Sequence, residues 1–108
     1  MIQHQDLASG RWQQMSLVEQ LGHVGSEVNR AINWKQKGNQ EYTRLAFERA
    51  LELLDLTLVS GHPASRLKEV ARVRAVLVDY FAGDNRFGST DRLWQNYFLA
   101  FAYAAARS

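Results

Sequence analysis

Three histidines, eleven carboxylates and thirteen basic side chains are the groups in this chain that could move protons, hold metals or grip anions. A metal site needs its ligands on one helical face, as in the Glu-x-x-His pairs of di-iron bundles. His4, His23 and His62 fall in an N-terminal arm, a helix and a turn, and none meets another ligand at that spacing. Glu19 and His23, four residues apart, come nearest, and that spacing equally suits a helix-supporting contact. Arg44, Glu48, Arg49 and Glu52 read as a solvated face laced with ion pairs. An acid/base pair of carboxylates would need a pocket that the sequence does not indicate. Ser16, Ser26, Ser60, Ser65 and Ser89 stand outside any nucleophile elbow, and there is no cysteine to supply a thiolate or a disulfide. Gly22-x-x-Gly25 lies inside a helical run with no strand before it, so it is not a phosphate loop. No catalytic residue, metal site or cofactor is expected.

Arginine offers more. Ten of the thirteen basic residues are Arg, the side chain suited to bidentate phosphate or carboxylate pairing. Residues 1–62 hold six basic and seven acidic residues, whereas residues 63–108 hold seven and four. Arg66, Lys68, Arg72 and Arg74 make one helix basic, and Arg86 and Arg92 follow near Trp94 and Tyr97. Arginine interleaved with aromatics can stack bases and hold phosphates. The same aromatics at helical spacing also read as ordinary core. Arg74 falls among Val70, Ala71, Leu77 and Val78, so its stem should lie on an apolar face and its charge needs a partner. Asp79, or a second-helix carboxylate such as Asp55, would serve; an anionic ligand is the alternative.

The elements that must position these groups are helices. The sole proline, Pro63, leaves room for long ones. Residues 1–15 read as a polar arm whose end is pinned by Trp12 and Met15, and residues 16–108 as one helical domain. Ser16 and Glu19 fit a capping box, after which Leu17, Leu21, Val24, Val28 and Ala31 form one stripe ending before Gly38. Asn39 caps a second helix running to about Val59, with Leu45, Ala46, Ala50 and Leu53 on one apolar row and Phe47, Leu51, Leu54 and Leu58 on another. Ser60-Gly61-His62-Pro63 breaks it, and a third helix continues through Tyr80 and Phe81. A turn over residues 83–88 leads to Ser89, the expected cap of the last helix, with Asp91 in its first turn. Short connections favour antiparallel neighbours, which predicts an all-α, up-down-up-down four-helix bundle.

Residues 97–106 of the last helix carry no charge and no side-chain amide. A helix apolar on nearly every side needs burial on more than one side, which predicts a homo-oligomer. The expected interface combines Phe47, Leu51, Leu54 and Leu58 with Phe98, Phe101 and Ala105. Gly22 and Gly25, with Ser26 and Asn29, form a small-residue strip that would admit a helix closely; a kink or a ligand-facing groove are its alternatives.

The stretches Gly25-Ser26-Glu27-Val28, Trp34-x-x-Lys37-Gly38-Asn39, Ala50-Leu51-Glu52-Leu53-Leu54-Asp55 and Asp79-Tyr80-Phe81-x-Gly83-Asp84-Asn85 resemble a family of short, uncharacterised prokaryotic helical-bundle proteins, across most of residues 12–105. Size and helix plan are more loosely similar to the four-helix-bundle accessory proteins of diversity-generating retroelements. That likeness implies an oligomeric, basic partner of a reverse transcriptase and its RNA. The chain is shorter and less basic, and it lacks the Arg-x(4–6)-His motif of helical ribonuclease domains. The sequence therefore predicts a non-enzymatic, homo-oligomeric accessory or adaptor protein whose basic face contacts nucleic acid or a nucleic-acid enzyme. The alternative is a small ligand-binding or enzymatic bundle using Arg74 and the Gly22/Gly25 strip. With no signal-like N-terminus and no run long enough to span a bilayer, the expected location is the cytoplasm, with no membrane partner.

Overall fold

The computed structural model describes residues 10–107; residues 1–9 of the expected arm, His4 included, lie outside them, as does Ser108. A 3-10 turn at Trp12–Gln14 precedes four helices, α1 (Leu17–Gln36), α2 (Gln40–Leu58), α3 (Ala64–Phe81) and α4 (Asp91–Ala106). They form the expected antiparallel bundle. Gly22 lies against Ala105 while Lys35 reaches Asp91, so α1 and α4 run in opposite directions. Phe47 meets Phe81 and Asp55 meets Arg74, which sets α2 against α3 the same way.

Local chemistry sets the helix ends. Ser16 and Glu19 close the capping box in both directions, at 3.2 and 3.1 Å. At the other end of α1, Gly38 takes a left-handed φ of 75°. Its N–H donates to the Lys35 carbonyl and that of Asn39 to the Trp34 carbonyl, a Schellman ending that satisfies two orphan acceptors. Asn39 then caps α2 by accepting from the Tyr42 N–H at 2.9 Å. The start of α4 differs from expectation. Thr90, not Ser89, is its cap, accepting from the Leu93 N–H at 3.1 Å. Ser89 is buried, and its own N–H donates to Asn85 Oδ1. Asn85 Nδ2 returns a bond to the Ser89 carbonyl, so this reciprocal pair uses Ser89 to close the loop and moves the cap one residue on.

The core runs between all four helices and includes Leu21, Val24, Ile32, Leu53, Val70 and Leu77. Trp12 seals one end of it. The indole is fully buried, with Nε1 donating to Thr57 Oγ1 at 3.2 Å. The Trp12 carbonyl accepts from Gln20 Nε2 at 2.8 Å, and Gln20 Oε1 accepts from His62 Nε2 at 2.6 Å. His62 is thus absorbed into a structural network.

The four sides of the bundle are not equal. α1 packs closely against both α2 and α4, α2 packs less extensively against α3, and the α3 and α4 backbones stand further apart still. The small-residue strip explains the close approach of α4 to α1. A Cβ placed on Gly25 would lie 2.7 Å from Phe98 Cβ, and one on Gly22 would sit 3.7 Å from Ala105 Cβ. The helix admitted by the strip is the chain's own α4.

Candidate interaction surface

α4 is apolar on nearly every side in sequence, and the fold decides which residues face inward. Trp94 and Phe98 turn inward, stacked at 5.9 Å between centroids. Leu99 and Tyr103 turn outward and are 61% and 66% exposed. Ala100 and Ala104 lie beside them, so the outer surface is apolar for about two turns.

That division relocates the residues expected at an oligomer interface. Phe47, Leu54 and Phe98 are core residues of the single chain, and Leu54 is wholly enclosed. Leu51, Leu58 and Phe101 are half-buried and pack against the same core, while Ala105 is half-buried beside Gly22. The apolar surface left to solvent on α4 is carried by Leu93, Leu99 and Tyr103 instead.

The basic residues divide into paired and unpaired. Arg74 Nε donates to Asp55 Oδ1 at 2.7 Å, the second-helix partner foreseen from its apolar setting. Asp79, the other candidate, accepts the backbone N–H groups of Arg86 and Phe87 at 2.9 and 3.1 Å. It holds the α3–α4 loop and presents Phe87, 69% exposed, at the tip. Arg66 approaches Glu69 at 3.9 Å. Lys68, Arg72, Arg86 and Arg92 are exposed and form no ion pair among the described residues. The fold thus removes Arg74 from the free basic set. It also separates Arg74, which faces α2, from the Gly22/Gly25 strip, which faces α4.

One polar cluster had no counterpart in the sequence reading. Lys35 Nζ donates to Asp91 Oδ1 at 2.9 Å and to Tyr80 Oη at 2.7 Å, Tyr80 Oη donates to Asp91, and Gln36 Nε2 donates to Asp91 Oδ2 at 3.2 Å. Burial alone would raise the Asp91 carboxyl; the bonds from Tyr80, Lys35 and Gln36 outweigh it and hold the group below its ordinary value of 3.8. Burial and the Asp91 bond push the Tyr80 phenol up. The cluster ties the end of α1 to the end of α3 and the start of α4. In sequence, Asp91 signalled only a favourable first-turn charge.

Two grooves flank α4. One, between α1 and α4, has about 280 Å³ and is floored by Gly22, Gly25 and Phe98, with Leu99 and Ala102 at its edge. The other, between α3 and α4, has about 570 Å³ and is lined by Lys68, Arg72, Val73, Val76, Leu93 and Trp94, with Tyr97 and Glu69 closing one side. The Tyr97 hydroxyl donates to Glu69 Oε1 at 3.2 Å, and burial together with the Glu69 charge pushes the phenol up to about 12. No group of three or more histidine, aspartate or glutamate side chains among the described residues is placed to hold a metal ion, and none of the helices there is long and apolar enough to cross a membrane.

No family model, no curated protein and no solved structure matches the chain.

Proposed function

We propose that this protein is a non-enzymatic accessory bundle of the cytoplasm that self-associates through the outer face of α4 and meets its functional partner through unpaired basic residues. The observation that carries the reading is the exposed apolar surface of Leu99 and Tyr103 on a helix whose opposite side is already in the core. With about two-thirds of each side chain still exposed, full burial gains roughly 1–2 kcal/mol each, and a second copy supplies that burial. Small Ala100 and Ala104 between them let a facing helix approach closely. Lys68, Arg72, Arg86 and Arg92 then line the edges left free in the assembly. The likeness to retroelement accessory bundles makes nucleic acid, or an enzyme acting on it, the partner of choice.

The test is absolute mass by light scattering after gel filtration. The wild-type chain runs as a discrete multimer. Leu99→Glu with Tyr103→Glu runs as a monomer with unchanged helicity, while Val59→Glu, an equally exposed site elsewhere, keeps the wild-type mass. A monomeric wild-type chain overturns the reading. For the partner, affinity for single-stranded RNA falls steeply with added salt because bound counterions are released. Binding that ignores salt removes the nucleic-acid half of the proposal.

A further inference from the structure

The α3–α4 groove is distinct from the outer face of α4 and has a different chemistry. Lys68 and Arg72 stand one helical turn apart on its rim, both exposed and both without an ion-pair partner among the described residues. The one carboxylate on the same rim, Glu69, is occupied by the Tyr97 hydroxyl at 3.2 Å and by Arg66 at 3.9 Å. Below the cations the lining turns apolar, with Val73, Val76, Leu93 and the Trp94 ring. Leu93 is half in solvent. The volume of about 570 Å³ falls within the range of small-molecule sites. Trp94, 3% exposed, forms the base of the groove where α4 meets the core.

We infer that this groove binds a small anionic amphiphile, a carboxylate carrying an aliphatic chain. The head group sits between Lys68 and Arg72, and the chain lies along Val73, Val76 and Leu93 against the Trp94 ring. Charge complementarity selects the occupant. Two adjacent cations match a single anionic head group, and the valine and leucine surface beside them matches its chain. The site goes beyond the accessory reading: it shares Lys68 and Arg72 with the basic set given to the partner there, but it is separate from the self-association face, since Leu99 and Tyr103 take no part in the groove.

The probe is sodium decanoate, followed by the indole N–H signals of the full-length protein in nitrogen-15 NMR. Trp12, Trp34 and Trp94 give three reporters in different surroundings. Decanoate shifts the Trp94 signal saturably and leaves that of Trp12, sealed at the far end of the core, in place. Decanol, with the same chain and no charge, binds roughly tenfold more weakly or less, the factor expected when a charge-assisted contact is lost. Lys68→Ala with Arg72→Ala brings decanoate down to the decanol affinity without changing decanol binding; both positions are exposed, so the fold survives. The proposal is overturned by equal binding of acid and alcohol, by shifts confined to the Leu99 and Tyr103 face, or by no saturable shift of Trp94 up to about 1 mM ligand.

Discussion

Exchanging each of two helical glycines for alanine should change stability in opposite directions. Both lie in α1, three residues apart, and both face α4. Propensity alone says that alanine stabilises a helix interior by about 1 kcal/mol over glycine. At Gly22 the new Cβ meets Ala105 Cβ at 3.7 Å and the Phe101 carbonyl oxygen at 3.9 Å, ordinary contact distances. Gly22→Ala should therefore keep most of that gain, about 0.5–1 kcal/mol. At Gly25 the new Cβ would stand 2.7 Å from Phe98 Cβ, 3.0 Å from Cγ and 3.1 Å from Cδ1. Cβ is the root of the Phe98 side chain, so no rotation relieves the clash; α4 has to move. Overpacking of this kind costs roughly 1–3 kcal/mol, and displacement of a stacked Trp94–Phe98 pair puts the cost at the upper end. The net for Gly25→Ala is a loss of about 1–2 kcal/mol. For a domain near 100 residues each kcal/mol moves Tm by about 4–8 °C, so Gly22→Ala should melt a few degrees above wild type and Gly25→Ala about 5–15 °C below it. The assay is thermal unfolding by circular dichroism at one fixed protein concentration, because self-association makes Tm concentration-dependent. If both variants move in the same direction, the close approach of α1 and α4 at Gly25 is wrong.

Two further predictions concern the polar contacts. Thr57→Val keeps shape but leaves the buried Trp12 N–H without its acceptor, at a cost of about 1–3 kcal/mol in urea unfolding; made on top of Trp12→Phe the same change should cost clearly less, and an equal cost in both backgrounds would refute the bond as the cause. Asp91 has a folded value depressed below its unfolded 3.8, so its contribution is present above that pH and is lost as the pH falls through the folded value. The wild-type urea midpoint should therefore fall more between pH 6 and pH 2 than that of Asp91→Asn, and identical acid limbs would refute the cluster's role.

The helices and most of their caps were legible because they are local. A serine followed three residues later by glutamate, or a glycine after an apolar stripe, settles its own end of a helix. Ser89 failed as a cap because Asn85 captures its N–H, and two good capping residues in succession leave the choice to the loop. The period of α3 put Arg74 on an apolar face, which was enough to name Asp55 as one of two partners. The glycine strip announced a close helix without saying which one. Lys35, Tyr80 and Asp91 come from three elements up to 56 residues apart, and no spacing rule connects them. The facing of α4 was illegible for the opposite reason. Where every side is apolar, periodicity has no contrast, and the choice of Phe98 as the inward residue is made across the bundle by the absence of a side chain at Gly25.

The wider separation of α3 from α4 has a consequence for motion. α1 is clamped between two close neighbours, while α3 has its close backbone neighbour in α2 and meets α4 through side chains such as Tyr97–Glu69 and Tyr80–Asp91. Partial opening follows the cheapest seam, where few buried contacts need to separate. In this molecule that seam is the α3–α4 side, tied by Tyr97–Glu69 and Tyr80–Asp91, while Val70 and Leu77 anchor α3 in the core on its other side, so opening starts at the α4 edge of α3.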